Sequence, residues 1–131
     1  MYTISVALDR AHYETRVTAG SHTIIADEPL SAGGKNQGAD PFELLLASVG
    51  SCTAITLRMY ADRKAWPLEA IQVNLTLAQE KDRSATLITK QITLEGDLTD
   101  EQRRRLMQIA DKCPTHLVLT RPVTIQSELM E

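Results

Sequence analysis

Apolar and polar residues alternate in two long stretches, IQVNLTLAQE (71–80) and ATLITKQITLEG (85–96), on either side of KDRS. A period of two marks a strand with one covered face, and the polar break makes the pair a hairpin. Shorter alternating runs lie near the start of the chain: YTISVAL (2–8), HYETRVTAG (12–20) and HTIIAD (22–27). Breaks at Asp9-Arg10 and Gly20-Ser21 turn these into a three-stranded meander. PVTIQSEL (122–129) is expected as a last strand.

Two segments follow a helical period instead. The first opens at Asp40-Pro41-Phe42-Glu43, where Asp40 caps, Pro41 suits the first helical position and Glu43 completes a capping box. It extends through FELLLASVGSCTAITLRMYA (42–61) to Arg63 or Lys64, and Trp66-Pro67 ends it. From Phe42 to Leu57 almost no face is charged, so the helix is expected to be buried all round. A helix of some 22 residues is roughly 33 Å long, which one chain of this size covers poorly. A second subunit is the simplest source of cover. Beyond Leu57 the pattern turns amphipathic, with Arg58, Asp62, Arg63 and Lys64 facing water.

The second helix starts at Thr99 or Asp100 and runs through DEQRRRLMQIADKC. Leu106, Ile109, Ala110 and Cys113 recur at helical spacing. Pro114 either breaks this helix or begins a new turn continued by THLVL. The expected order is βββ-α-ββ-α-β, an α+β fold in a single domain over 1–131. DEPLSAGGKNQGAD (27–40) has no periodicity and reads as a loop. It is long for an ordinary connection, and long ordered loops line sites or contact partners.

Composition narrows the partners. Apolar content is 43% and the net charge is −3, ordinary values for a folded domain. The basic clusters RKAW and RRR have acidic neighbours, so no nucleic-acid partner is expected. The N-terminal residues lack a cationic start followed by an apolar run, so no signal peptide is expected. The low-charge run 42–57 stops short of the roughly 20 residues of a membrane span, so no membrane association is expected. A cytoplasmic protein is the default.

Two cysteines, Cys52 and Cys113, are the candidates for chemistry. No CxxC is present, and His12, His22 and His116 are scattered without an HExxH pattern, so neither a metal nor another cofactor is expected. No phosphate loop, nucleophile elbow or dinucleotide fingerprint occurs. Cys52 sits among Gly50, Ser51 and Thr53, poor helix formers that permit close approach of another segment or a substrate. Taken alone it reads as a small core residue.

Cys113 lies between Lys112 and Pro114. If Pro114 opens a fresh turn, free N–H groups and the lysine lower the thiol pKa. Otherwise Cys113 packs one turn after Ile109, and periodicity does not separate these readings. His116, three residues on, either tunes that thiol or is an ordinary turn histidine. Glu43 needs no role beyond capping. On a straight helix it stands about 13 Å from Cys52 and on the opposite face, which argues against direct contact.

DPFELLLASVGSCTAITLRMYA, followed some 60 residues later by DKCPTHLVL, resembles the OsmC/Ohr family of thiol-dependent peroxidases, closest to its broad OsmC-like branch. The resemblance covers nearly the whole chain. It implies an intertwined homodimer, with two central helices enclosed by sheets from both chains and active sites at the subunit interface. It implies that Cys52 is the peroxidatic thiolate, which attacks an organic hydroperoxide and becomes a sulfenic acid. Cys113 is then the resolving thiol, which closes a Cys52–Cys113 disulfide, and a dithiol or lipoyl-type reductant reopens it. Glu43 matches the acidic residue that orients an arginine near the reactive thiol.

One departure stands out. The family's arginine has no clear counterpart, since the segment before the helix offers only Lys35. Arg10 and Arg16 lie early enough to serve, and Arg16 is the first choice. The alternative function is a non-enzymatic dimer on the same scaffold, binding an apolar or thiol-bearing ligand at the interface.

Overall fold

The computed structural model describes residues 1–130. The chain divides into two compact units, the first ending at Leu45 and the second beginning at Leu46.

The first unit is the expected meander. Strands β1 (Ser5–Ala7), β2 (Thr15–Ala19) and β3 (His22–Ala26) form an antiparallel sheet in that order. β1 is shorter than its alternating run suggested, because only Ser5, Val6 and Ala7 find partners, on Thr18, Val17 and Arg16. The loop after β3 is ordered around one buried carboxylate. Asp27 accepts from the backbone N–H groups of Tyr13 (3.1 Å), Glu28 (2.7 Å) and Gln37 (3.2 Å). A short 3₁₀ turn spans Leu30–Ala32, and Ala39 pairs back on Ala26. Gly34 is required here by space. A Cβ at this position would collide with the Glu28 carbonyl and come within 2.8 Å of Asp27 Oδ1.

Helix α1 (Pro41–Lys64) begins with the capping box read from the sequence. Glu43 N–H donates to Asp40 Oδ1 (2.8 Å), and Asp40 N–H donates to Glu43 Oε1 (2.9 Å). At 24 residues it is longer than the low-charge run within it, and by length and composition alone it is apolar enough to cross a membrane. The packing identifies it as a core helix. Leu57 and Ala61 are fully buried and share a cluster with Leu68, Leu98, Leu106, Ile109 and Ala110. Burying leucines such as Leu57 and Leu106 contributes about 1.5–3 kcal/mol each.

The expectation that α1 is buried all round does not hold within one chain. Val49, Gly50, Thr53, Leu57 and Ala61 form one buried stripe, while Ile55 and Met59 on the far side are 54% and 61% exposed. Within the second unit the hairpin sheet covers one face of the helix, and the opposite face is exposed at Ile55 and Met59.

Strands β4 (Leu68–Gln79) and β5 (Thr86–Gly96) form the expected antiparallel hairpin, paired from Leu68↔Gly96 to Gln79↔Thr86. A bulge between Leu68 and Ala70 shifts the pleat by one residue. Leu68 therefore shares the covered face with Ile71, Val73, Leu75 and Leu77. Gly50 lets α1 approach this sheet closely, since a Cβ there would lie 2.7 Å from Leu75 Cδ1.

Helix α2 (Asp100–Ala110) starts with a Thr99–Gln102 capping box, and helix α3 (Pro114–Leu119) follows. Pro114 thus begins a new turn. The last strand expected over 122–129 is not formed, and this stretch carries neither strand nor helix. Val123 and Ile125 alternate with polar residues but are 57% and 85% exposed. Alternation makes a segment ready for a sheet, and only a ladder partner makes it a strand.

Candidate functional site

Both cysteines are free and lie in the second unit. Cys52 is half-buried in the middle of α1. Cys113 occupies the N-cap position of α3, in extended backbone, and is fully buried. Its sulfur lies 3.4 Å from the hydroxyl of Thr53, the residue directly after Cys52. The contact seats Cys113 against the turn of α1 that carries Cys52.

The same hydroxyl joins Cys113 to a cation. Lys90 Nζ donates to Thr53 Oγ1 (3.1 Å) and to the Ala110 carbonyl (2.8 Å). Strand geometry puts it there. In β5, Ile88, Lys90, Ile92 and Leu94 all point to the covered face, and Lys90 is the one charged member of that row. Its ammonium lies at the junction of α1, the end of α2 and the start of α3, beside a groove of about 470 Å3 lined by Val49, Ile88, Lys90, His116, Leu119 and Thr120.

The Cys113 thiol titrates below its ordinary value. Burial pushes it up. The Thr53 hydroxyl, the His116 backbone N–H, the Thr115 hydroxyl and the charge of Lys90 together outweigh that. The reading in which Pro114 opens a turn and Cys113 meets its N–H groups therefore describes the site. The cation, however, is Lys90 and not the sequence neighbour Lys112, which is exposed.

The other candidates are placed as follows. Glu43 is engaged in the capping box of α1. Arg10 lies in the turn after β1, Arg16 lies on β2, and Lys35 lies in the 27–40 loop; all three side chains are exposed. His116 contributes its backbone N–H to Cys113 and lines the groove. Among the described residues no group of His, Cys, Asp and Glu is arranged to hold a metal ion. Thr53 and Lys90 were missed by the sequence reading. The available signal was a lysine at an inward position of an otherwise apolar row, TLITKQITLEG.

Solved structures share this fold. An OsmC-like protein from Mycoplasma pneumoniae superposes with a TM-score of 0.80 at 16% identity, over 92% of this chain and 87% of that one. An organic hydroperoxide resistance protein OsmC from Legionella pneumophila gives a TM-score of 0.68 at 16% identity, over 91% and 88%. The organic hydroperoxide resistance protein OhrB of Bacillus subtilis gives 0.61 at 19% identity, over 90% and 89%. No curated protein matches in sequence. The family model for OsmC-like proteins matches residues 34–128, which include both cysteines, Thr53 and Lys90, and on this match the chain belongs to the OsmC-like protein family.

Proposed function

We propose that the protein is a thiol-dependent peroxidase that reduces organic hydroperoxides through Cys52 and Cys113. The observation that carries this reading is the 3.4 Å contact between Cys113 Sγ and Thr53, next in sequence to Cys52. A buried thiol held against the helix turn of a half-buried one suits a resolving and a peroxidatic cysteine. In the first step the Cys52 thiolate attacks the terminal peroxide oxygen. The O–O bond breaks, the alcohol departs with a proton, and Cys52 becomes a sulfenic acid. The Cys113 thiolate then attacks that sulfur, and the hydroxyl leaves as water after taking one proton. A dithiol or lipoyl-type reductant supplies the two electrons that reopen the disulfide.

The working form in this reading is a homodimer. Support comes from Ile55 and Met59, exposed on α1, and from Val123 and Ile125, exposed in a stretch patterned as a strand. The second copy supplies their cover. Glu43, beyond its capping bonds, is assigned the role of orienting a basic residue towards Cys52, with Arg16 the first candidate. Apolar surface beside the thiol favours alkyl hydroperoxides over hydrogen peroxide by burying the organic tail.

The test is one equivalent of an alkyl hydroperoxide added to the reduced chain, followed by thiol counting and intact mass. Wild type is expected to form an internal disulfide, Cys113→Ser to stop at a sulfenic acid on Cys52, and Cys52→Ser to stay reduced. A wild-type chain that keeps both thiols overturns the reading in favour of a ligand-binding dimer.

A further inference from the structure

The Thr53 hydroxyl has one proton and two lone pairs to share among three neighbours. The Val49 carbonyl (2.8 Å) only accepts, and Lys90 only donates. When Cys113 is a thiol, the hydroxyl donates to Val49 and accepts from Lys90 and from the S–H. When Cys113 is a thiolate, the hydroxyl proton turns to the sulfur. Val49 loses little, because its carbonyl also accepts in the backbone ladder of α1. Lys90 remains behind the hydroxyl and polarises it towards the sulfur. The two protonation states of Cys113 therefore differ by the rotation of one hydroxyl, and no buried group is stranded in either.

The neighbours of Cys113 define the field it feels. Lys90 comes from β5. The α2–α3 junction carries Lys112, which is exposed, and Asp111 and His116, which both line the groove beside Lys90. From α1 the sulfur meets the uncharged Thr53, and the titratable thiol on that turn is Cys52.

We propose that Lys90, acting through Thr53, is a positioning residue that stabilises the thiolate of Cys113 and so makes it the leaving group when the Cys52–Cys113 disulfide is reduced. The inference rests on the disulfide of the proposed function and adds the direction of its reduction. The incoming reductant is a dithiol whose two sulfurs can close a ring. Its thiolate bonds to the half-buried Cys52 sulfur, the S–S bond breaks, and the electron pair departs with Cys113. The reductant's second sulfur then closes a cyclic disulfide, and Cys52 leaves as a thiolate that takes up the proton released. One protein disulfide is reduced and one dithiol oxidised.

Two facts set this direction. The Cys113 sulfur is fully buried while Cys52 is not, and exchange needs access to the attacked sulfur. A stabilised thiolate is also the faster leaving group.

The experiment has two arms, neither of which uses peroxide. In Cys52→Ser, thiolate ultraviolet absorbance is followed against pH. The midpoint for Cys113 is expected below the ordinary thiol value of about 8.5. Adding Lys90→Met is expected to raise it by about one unit, a tenfold loss of thiolate fraction below the midpoint. Lys90→Arg should keep most of the depression. Thr53→Val, which removes both the hydroxyl bond to the sulfur and the link to the cation, should raise the midpoint at least as far.

In the second arm, the wild-type chain is oxidised with diamide and treated with β-mercaptoethanol, and the mixed disulfide is mapped. The adduct is expected on Cys52. An ordinary midpoint in Cys52→Ser, a midpoint unmoved by Lys90→Met and Thr53→Val, or an adduct on Cys113 overturns the proposal. A depressed, Lys90-dependent midpoint and a Cys52 adduct in a chain inert to alkyl hydroperoxide would leave it standing while the peroxidase reading fell.

Discussion

Each unit of the molecule holds a charged side chain partly or wholly out of water, Asp27 in the first and Lys90 in the second, and the two are used in opposite ways. In the first unit, the Asp27 carboxylate is ringed by backbone N–H donors from Tyr13, Glu28 and Gln37. Every partner belongs to the main chain, so the charge has only one arrangement. In the second unit, the Lys90 ammonium is held by one carbonyl and one hydroxyl. The hydroxyl is a rotor shared with a thiol, so the charge is passed on to a titratable group. A charge saturated by backbone is an architectural fixture, whereas a charge that ends on a side-chain rotor can take part in chemistry.

The largest expected effect on this comparison comes from Gly34→Ala. The new methyl meets the Glu28 backbone carbonyl and the Asp27 carboxylate, so the ring of donors opens. A loss of about 1–3 kcal/mol is expected from overpacking of this kind, read as a drop in denaturation midpoint with new proteolytic cleavage in 27–40. The Cys113 titration should not move. A coupled change in both would mean that the two charges are not independent devices.

A second effect is carried by pH. Burial raises the Asp27 pKa, but the backbone donors more than offset it, and the carboxyl titrates below its ordinary value. With the folded pKa depressed, its contribution to stability is fully present above the unfolded value of about 3.9 and is lost as pH falls through the folded value. Asp27→Asn should flatten that acid limb in urea unfolding monitored against pH. Cys113 follows the same sign in a higher window. Its stabilisation is complete above the unfolded thiol pKa and is lost as pH falls through the lowered folded one. An acid limb unchanged in Asp27→Asn would show that the carboxylate only fills space.

The smallest effect is Gly50→Ala. Alanine gains about 1 kcal/mol of helix propensity. Its Cβ, however, presses on the flexible end of Leu75, the cross-strand partner of Lys90. The two contributions nearly cancel in stability. What should remain is a slight upward drift of the Cys113 midpoint, because α1 and Thr53 are pushed away from Lys90. A midpoint that stays put would mean that the lysine side chain follows the helix.

Much of the framework was legible from short-range patterns. The alternation of the two hairpin strands, the capping box at Glu43 and the helix start at Thr99 or Asp100 are each written in residues a few positions apart. The last strand was misread for the complementary reason. PVTIQSEL has the right alternation, but a ladder depends on a distant partner that no local pattern specifies. One chain covers only one face of α1, because cover is a property of what packs on a helix and not of the helix.

The sequence by itself determined that a long apolar helix carries Cys52 and that Cys113 stands directly before a proline near a helix end, and its motifs carried the family resemblance. The first two follow from periodicity, capping and spacing along one chain, and the resemblance rests on matching motifs. Only the tertiary structure decided which cation serves Cys113. Lys90 is 23 positions before that cysteine in sequence and was hidden inside a strand. It reaches the thiol because the pleat of β5 points it inward, Gly50 lets α1 close on the sheet, and Thr53 happens to sit where all three elements meet. Electrostatic coupling depends on distance through space, and only the packed fold sets that distance.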